Sequence, residues 1–336
     1  MKILVTGGLG YIGSHTVVEL QQNNYEVVIV DNLSNSRIEV LNQIEKITGV
    51  KAEYENFDIS DSGLCNDFFK RHTNIDGIIH FAAFKAVGES VEQPLKYYRN
   101  NIDSLLNILD AMKEFQINNL VFSSSCTVYG QPDKLPVTED APIKQALSPY
   151  GYTKQVAEVI IKDFIYAHPA KSIALRYFNP IGAHETSLIG ELPLGIPNNL
   201  MPFITQTAIG IRKQLSVFGD DYNTTDGTAI RDYIHVIDLA KAHVIAVQRM
   251  LKQKQKLDFE TFNIGTGNGY SVLEVIRSFE KTSNQKLNYK IVARREGDVE
   301  QVWADTNFAN NELGWKAEKS LDDMTSSAWN WQLKLK

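Results

Sequence analysis

Residues 2–31 begin Lys2-Ile3-Leu4-Val5-Thr6, continue Gly7-Gly8-Leu9-Gly10-Tyr11-Ile12-Gly13, and close on Tyr25-Glu26-Val27-Val28-Ile29-Val30-Asp31. A short apolar run with a polar end predicts a strand. The glycines predict a tight turn, and Val17, Val18 and Leu20 lie in a helical pattern. A second apolar run ends on an acid. Strand, glycine turn, helix, strand and acid make up a dinucleotide-binding βαβ unit. The glycines can be parsed as Gly7-x-x-Gly10-x-x-Gly13 or as Gly8-x-Gly10-x-x-Gly13. Either parse lets the backbone approach a pyrophosphate with no Cβ in the way. The helix that follows offers that pyrophosphate unpaired N–H groups and a partial positive charge. Asp31 can accept hydrogen bonds from both adenine-ribose hydroxyls, and its charge would repel a 2′-phosphate. NAD is therefore expected rather than NADP, and Arg37, a few residues on, is read as solvated surface.

Beyond this unit, strand-like and helix-like segments alternate through the first half of the chain. That is the pattern of a parallel sheet covered on both faces. Further strands are expected at 52–57, 77–81, 120–122 and 173–177. Helices are expected at 38–47, from Asp61 (a cap) to about 71, at 94–115, and from Ser148-Pro149, with Ser as N-cap and Pro in the first position. The alternation stops at 184–199, a stretch rich in Gly, Pro and Asn that suggests a binding loop. Helices near 200–211, 236–250 and 272–280, with strands near Val217, Tyr233, Phe262 and Tyr289, read as a smaller α/β lobe. The expected fold is a Rossmann-type doubly wound parallel sheet with a C-terminal α/β substrate lobe. The division falls at residues 1–180 and 181–336, with some segments of the second part returning to the first.

The bulk numbers narrow the function class. The chain has 336 residues, 43% hydrophobic and 22% charged, with a formal net charge of −6. No long basic run supports a nucleic-acid footprint, and no apolar stretch approaches the roughly 20 residues of a membrane span. Cys65 and Cys126 are the only cysteines. They lie far apart and lack metal-type spacing, which fits a reducing cytoplasm. The seven histidines form no ligand cluster in sequence, so no metal is expected, and His80 reads as structural. The N-terminus starts a strand directly, so no signal peptide is expected.

Two later stretches carry chemistry. Tyr150-Gly151-Tyr152-Thr153-Lys154 sets Tyr150 and Lys154 four apart at the start of a helix, hence on one face. A free phenol ionises near about 10. A nearby ammonium, a helix N-terminus and a positive nicotinamide ring would each lower that value. So tuned, Tyr150 could take a proton from a sugar hydroxyl as hydride leaves the same carbon. Tyr152 competes for the role, but the residue four on is Val156. Ser123-Ser124-Ser125-Cys126-Thr127-Val128-Tyr129-Gly130 lies at the end of a strand, where such sheets face their ligand. A serine there could bridge the reacting oxygen and Tyr150. Cys126 reads as a small packing residue.

Taken with Asp31-Asn32-Leu33, Asp58-Ile59 and His80-Phe81-Ala82-Ala83, these motifs resemble the extended short-chain dehydrogenase/reductase family. The likeness runs nearly end to end. It includes Lys85-Ala86-Val87-Gly88-Glu89-Ser90, Leu175 to Ala183, Gly195-Ile196-Pro197-Asn198-Asn199-Leu200, Arg231 to His235 and Arg294-Arg295-Glu296-Gly297-Asp298. Within the family it is similar to the branch that epimerises UDP-sugars. The resemblance implies NAD as cofactor, UDP-glucose and UDP-galactose as substrates, and a homodimer built on the helices at 94–115 and 148–168. By position it implies Tyr150, Ser125 and Lys154 as catalytic residues. It implies cofactor contacts from Gly7, Gly10, Tyr11, Ile12, Gly13, Asp31, Asn32, Leu33, Ser34, Asn35, Ser36, Asp58, Ile59, Phe81, Ala82, Ala83, Lys85, Asn100, Lys154 and Phe178, with Ser125 and Tyr150 beside them. Around the UDP-sugar it implies Asn179, Asn199, Ser216, Val217, Phe218, Arg231, Arg295, Asp298 and Val302, in addition to Ser125 and Tyr150. Arginine forks suit a diphosphate. The family position at Val302 faces the sugar and varies between tyrosine and a small residue; valine here is expected to admit N-acetylated sugars as well. Dehydratases of the same fold place Asp-Glu after the threonine of the serine–threonine turn. Here Val128 follows Thr127, which disfavours dehydration. A silent NAD-binding scaffold is the reading from a different class, and the intact Ser125, Tyr150 and Lys154 argue against it.

Overall fold

The computed structural model describes residues 1–294 and 299–335. The elements are, in chain order, β1 (Lys2–Thr6), α1 (Tyr11–Gln22), β2 (Glu26–Val30), α2 (Glu39–Thr48), β3 (Glu53–Glu55), α3 (Ser62–Arg71), β4 (Gly77–His80), α4 (Val87–Glu92), α5 (Pro94–Tyr98), α6 (Ser104–Glu114), β5 (Asn119–Ser125), α7 (Pro149–Ala167), β6 (Lys171–Tyr177) and β7 (Asn179–Ile181). There follow α8 (Leu200–Ala208), β8 (Leu215–Phe218), β9 (Ile230–His235), α9 (Val236–Leu251), β10 (Phe259–Ile264), β11 (Gly269–Ser271), α10 (Val272–Ser283), β12 (Tyr289–Val292), β13 (Gln301–Val302) and α11 (Leu321–Lys334).

Seven parallel strands form the central sheet in the order β10-β6-β5-β4-β1-β2-β3. The expected doubly wound sheet is present. Strand alternation sorts its side chains into two apolar layers. Ile3, Val5, Ile29, Ile79, Val121, Leu175 and Phe262 point to one face, covered by α1, α2 and α9. Leu4, Val28, Ile78, Leu120, Phe122 and Ala174 point to the other, covered by α3, α6 and α7. A sheet buried on both faces explains why these strands read as unbroken apolar runs.

The order of strands reverses between β1 and β4. Ligands of open parallel sheets bind at the carboxyl ends of the strands at that switch point, and the candidate site lies there. Local chemistry sets the elements around it. Asp61 caps α3 by accepting from the Leu64 amide at 3.0 Å, and Ser148 caps α7 by accepting from Gly151 at 3.1 Å, with Pro149 in the first turn. The expected long helix at 94–115 is α5 and α6 joined by a π-helical turn at Arg99–Asp103. Such turns insert an extra residue into a helix and cluster at functional sites.

The second half divides between two places. The strand near Phe262 is β10, the edge of the central sheet, where it pairs with β6, and α9 packs against α1 and the strands. What remains forms a smaller lobe. In it β9 pairs with β7, β11 and β13, β8 pairs with β12, and α8, α10 and α11 close a separate apolar core.

Candidate active site

The first wall of the site is the glycine turn. Gly7 has φ +68°, and a Cβ there would stand 3.0 Å from the Ala82 amide nitrogen. At Gly13 a Cβ would lie 2.2 Å from the Gly7 carbonyl oxygen and 2.9 Å from the Gly8 Cα. Side chains are therefore excluded where α1 begins, and the backbone is left bare for a ligand. The first-turn amides of that helix have no intrahelical partners.

Asp31 directly follows β2 and is buried. Its carboxylate accepts from the Leu9 amide at 3.0 Å, the Leu33 amide at 3.0 Å and the Ser36 hydroxyl at 2.7 Å. It thereby joins the glycine turn to the 32–36 loop and holds Leu33 at φ +58°, a backbone region costly for a branched residue. Asp58 accepts from the Asn32 side-chain Nδ2 at 3.0 Å and from the backbone N–H and hydroxyl of Ser60. Burial raises the Asp58 carboxyl, but the donors from Ser60 and Asn32 outweigh it and hold the group below the usual range. Thr6 bridges β1 and β4: its hydroxyl pairs with His80 Nδ1 at 2.8 Å and accepts from the Ala82 amide at 3.3 Å. Burial pushes His80 down to about 3, so it is neutral and structural, as its sequence position suggested. Asn101 fixes the next loop by bonding both the amide and the carbonyl of Phe84, and the π-helical turn directs Asn100 into the cavity.

The reactive groups stand at the ends of β5, β6 and α7. The Lys154 ammonium donates to the Ser123 carbonyl at 2.6 Å. Ser123 and Tyr177 share a 2.5 Å hydroxyl contact. Tyr150, Lys154, Ser123, Ser125 and Tyr177 all line one cavity of about 230 Å³. Burial pushes the Tyr150 phenol well above its ordinary value; Tyr177 adds to this and the Ser125 hydroxyl pulls the other way. Burial is the largest influence on the phenol and opposes the lowering expected from the neighbouring ammonium, whose Nζ stands 5.9 Å from the centre of the Tyr150 ring while donating to the Ser123 carbonyl. Burial in turn pushes Lys154 down to about 8, with Glu158 opposing. The Cys126 thiol is raised to about 12 by burial and takes part in an apolar cluster.

The same cavity is lined by Gly7, Gly10, Tyr11, Ile12, Gly13, Asp31, Asn32, Ser34, Asn35, Ser36, Asp58, Ile59, Phe81, Ala82, Ala83, Lys85, Asn100, Phe178 and Asn199. Leu33 instead packs against the core. Asn179, Arg231 and Val302 come together on the lobe sheet: Val302 lies opposite Arg231, and Asn179 opposite Tyr233, two residues further along β9. Val302 is buried in a cluster with Val128, Tyr129 and Phe178. Ser216, Val217 and Phe218 lie on β8; the Val217 side chain belongs to the lobe core, while Phe218 is exposed. Arg295 and Asp298 lie outside the described residues. Sequence reading missed Phe84, Ser104, Tyr177 and Pro180 as cavity residues. Strand alternation offered a signal for Tyr177, two residues after Leu175 on the face shared with Ser123.

Among the described residues no group of three His, Cys, Asp or Glu side chains is placed to hold a metal ion, and no helix is long and apolar enough to cross a membrane. Comparison with known proteins accounts for this arrangement. The family model described as GDP-mannose 4,6 dehydratase matches residues 4–328. The UDP-glucose 4-epimerase of Dictyostelium discoideum is 52% identical over 332 residues, covering 98% of this chain and 95% of its own. That of Bacillus subtilis is 49% identical, covering 99% and 97%.

The chain belongs to the UDP-glucose 4-epimerase family.

Two solved members of that family align over nearly all of both chains. One, from Stenotrophomonas maltophila, carries bound NAD and formylated UDP-arabinopyranose (TM-score 0.95, 48% identity, 100% of this chain and 98% of the other). One from Bifidobacterium longum is a complex with NAD+ and UDP (TM-score 0.95, 47% identity, 99% and 98%). Membership in the UDP-glucose 4-epimerase family places the chain among the NAD-dependent isomerases of the extended short-chain dehydrogenase/reductases. The bare glycine turn, Asp31 and the cavity between them fit that cofactor.

Proposed function

We propose that this chain interconverts UDP-glucose and UDP-galactose by transient oxidation at C4 of the hexose. The observation that carries the reading is the meeting of Tyr150, Ser125 and Lys154 on the wall of the cavity that also holds the glycine turn and Asp31. Gly7, Gly10 and Gly13 would admit the cofactor pyrophosphate, Asp31 its adenine ribose, and Lys154 its nicotinamide ribose. When bound, NAD supplies the hydride acceptor and donor. Tyr150 takes the proton from the 4-hydroxyl, with Ser125 bridging, and returns it after the sugar has presented its other face. Burial opposes ionisation of Tyr150, so its proton leaves only as positive charge gathers at the site. Asn179, Asn199, Ser216 to Phe218 and Arg231 would grip the UDP portion, leaving the hexose loosely held. Arg295 and Asp298 join this set by their sequence motif.

Dehydration does not fit the turn after β5. Val128 fills the position of the expected carboxylate and is buried in the cluster with Val302 and Phe178. Replacing Tyr150 with phenylalanine tests the assignment: turnover should nearly vanish while NAD stays bound, and wild-type-like activity would refute it.

Three further readings accompany this one. Residues 1–180 serve as the cofactor domain and 181–336 as the substrate lobe, with α9 and β10 returned to the first. The chain acts in the cytoplasm as a homodimer, through the outer faces of α5, α6 and α7, where Leu95, Leu106, Tyr152, Val159 and Tyr166 are exposed. Light scattering at the mass of a single chain would dismiss the dimer. Val302, small at a position that the family resemblance sets against the sugar, supports a pocket that also admits N-acetylated sugars, although its side chain packs in the cluster with Val128, Tyr129 and Phe178.

A further inference from the structure

Beside the reactive groups, between α7 and the face of the sheet that it covers, lies a buried polar network that the proposed chemistry does not use. Strand register sets Ser124, Arg176 and Asn263 side by side across β5, β6 and β10. Glu158, one helical turn after Lys154, reaches down to them. Its carboxylate accepts from the Ser124 hydroxyl at 2.6 Å and from Arg176 Nε and Nη2 at 2.9 and 2.6 Å. Arg176 Nη1 donates to the Tyr129 hydroxyl at 3.0 Å and to the Glu139 carbonyl at 3.2 Å, and Tyr129 donates to Asn263 Oδ1 at 2.6 Å. The ion-paired side chains are 4% and 6% exposed.

Replacing a buried ion pair by apolar groups of similar volume is often neutral or stabilising, because desolvation offsets most of its attraction. Burial of the pair is therefore weak evidence for a role in stability alone. Its place in the chain points to a further role. Ser124 stands between Ser123, whose carbonyl holds Lys154, and Ser125, whose hydroxyl serves Tyr150. Two clamps, Lys154 to Ser123 and Ser124 to Glu158, therefore tie α7 to β5 one turn apart. A slip at either would move the Tyr150 phenol relative to Ser125.

We propose that Glu158, held by Arg176, is a positioning residue for proton transfer, fixing α7 on β5 so that Tyr150, Lys154 and Ser125 share one geometry. This rests on the catalytic reading above. Burial lowers the Lys154 ammonium most, and Glu158 opposes that effect. Around that ammonium stand Tyr150 and Glu158 from α7, neutral His80 from β4 and the Phe122 ring from β5 at 4.9 Å, while Arg176 from β6 is the partner of Glu158. Glu158 is the carboxylate among them.

The test uses the holoprotein in the variants Ser124→Ala, Glu158→Gln and Glu158→Asp. Ser124→Ala removes one clamp with no change of charge, so it remains informative if Glu158→Gln, which strands Arg176, folds poorly. Both should lower kcat about 10- to 100-fold while KM for UDP-galactose moves by less than about 3-fold, the mark of misplacement at the reacting atoms. In parallel, ¹³C NMR of the lysine side chains, recorded without sugar, follows the titration of Lys154. Its midpoint should fall by about one pH unit or more in Glu158→Gln, hold in Ser124→Ala and return in Glu158→Asp. Folded Ser124→Ala and Glu158→Gln proteins with native kcat would overturn the proposal, as would an unmoved Lys154 midpoint in Glu158→Gln. Because the titration needs no turnover, absence of epimerase activity in the unaltered protein would count against the catalytic reading alone.

Discussion

Replacing Lys154 with methionine should abolish turnover and yet stabilise the fold. Lys154 is buried beneath the site, and burial pushes its ammonium down to about 8 from an ordinary 10.5. Each pH unit of such a shift corresponds to about 1.4 kcal/mol, so holding the charge at pH 7 costs the folded state on the order of 3 kcal/mol. Methionine has similar length and no charge. It gives up the hydrogen bond from a charged donor to the Ser123 carbonyl, worth roughly 1.5–3 kcal/mol. The net gain is on the order of 1 kcal/mol, a rise in Tm of about one to two degrees. The sign follows from proton counting. Between pH 8 and pH 10.5 the unfolded lysine carries a proton that the folded one has lost, so native stability from this group rises with pH across that window. The advantage of the variant should therefore be full below about pH 8 and gone by about pH 10.5. Thermal unfolding of both proteins, freed of nucleotide and followed by circular dichroism across this range, provides the measurement. A variant less stable than the native chain at pH 7, or one whose advantage does not shrink with rising pH, would refute the reasoning.

Three other outcomes are expected. Gly13→Ala should abolish NAD binding and lower Tm, because its Cβ would sit 2.2 Å from the Gly7 carbonyl oxygen; a variant that binds NAD normally by calorimetry would count against the glycine-turn account. Asp31→Ala leaves the Leu9 and Leu33 amides without their acceptor and would remove the acceptor proposed for the ribose hydroxyls, so NAD affinity should fall at least about 100-fold. With UDP-N-acetylglucosamine as substrate, the small Val302 should permit measurable epimerisation, and no detectable turnover would reject that reading of the pocket.

The parts of this molecule that were legible from sequence are those whose physics is local. The glycine turn and Asp31 lie within one βαβ unit, where each residue's role follows from its neighbours in the chain. Tyr150 and Lys154 share a face because a helix repeats every 3.6 residues, and Ser148-Pro149 announces where that helix starts. The seventh strand was harder to place. The run around Phe262 reads correctly as a strand, but a period of two says nothing about which sheet a strand joins, so β10 looked like part of the lobe. The π-helical turn at Arg99–Asp103 was hidden for a related reason: its apolar spacing still fits one long helix. Two effects needed coordinates. Burial sets the direction of the shifts at Tyr150 and Lys154, and the Lys154 hydrogen bond to the Ser123 carbonyl joins a helix to a strand 31 residues away. The Glu158–Arg176 pair joins residues 18 apart, and nothing in either residue's local sequence names its partner.

A 4-epimerase of this kind regenerates its cofactor in each cycle. The most direct test is to purify the protein, supply UDP-galactose with no added NAD, and assay for UDP-glucose. The account predicts product, made at the same rate when NAD is supplied. Folded protein that yields no UDP-glucose, with or without NAD, would contradict it.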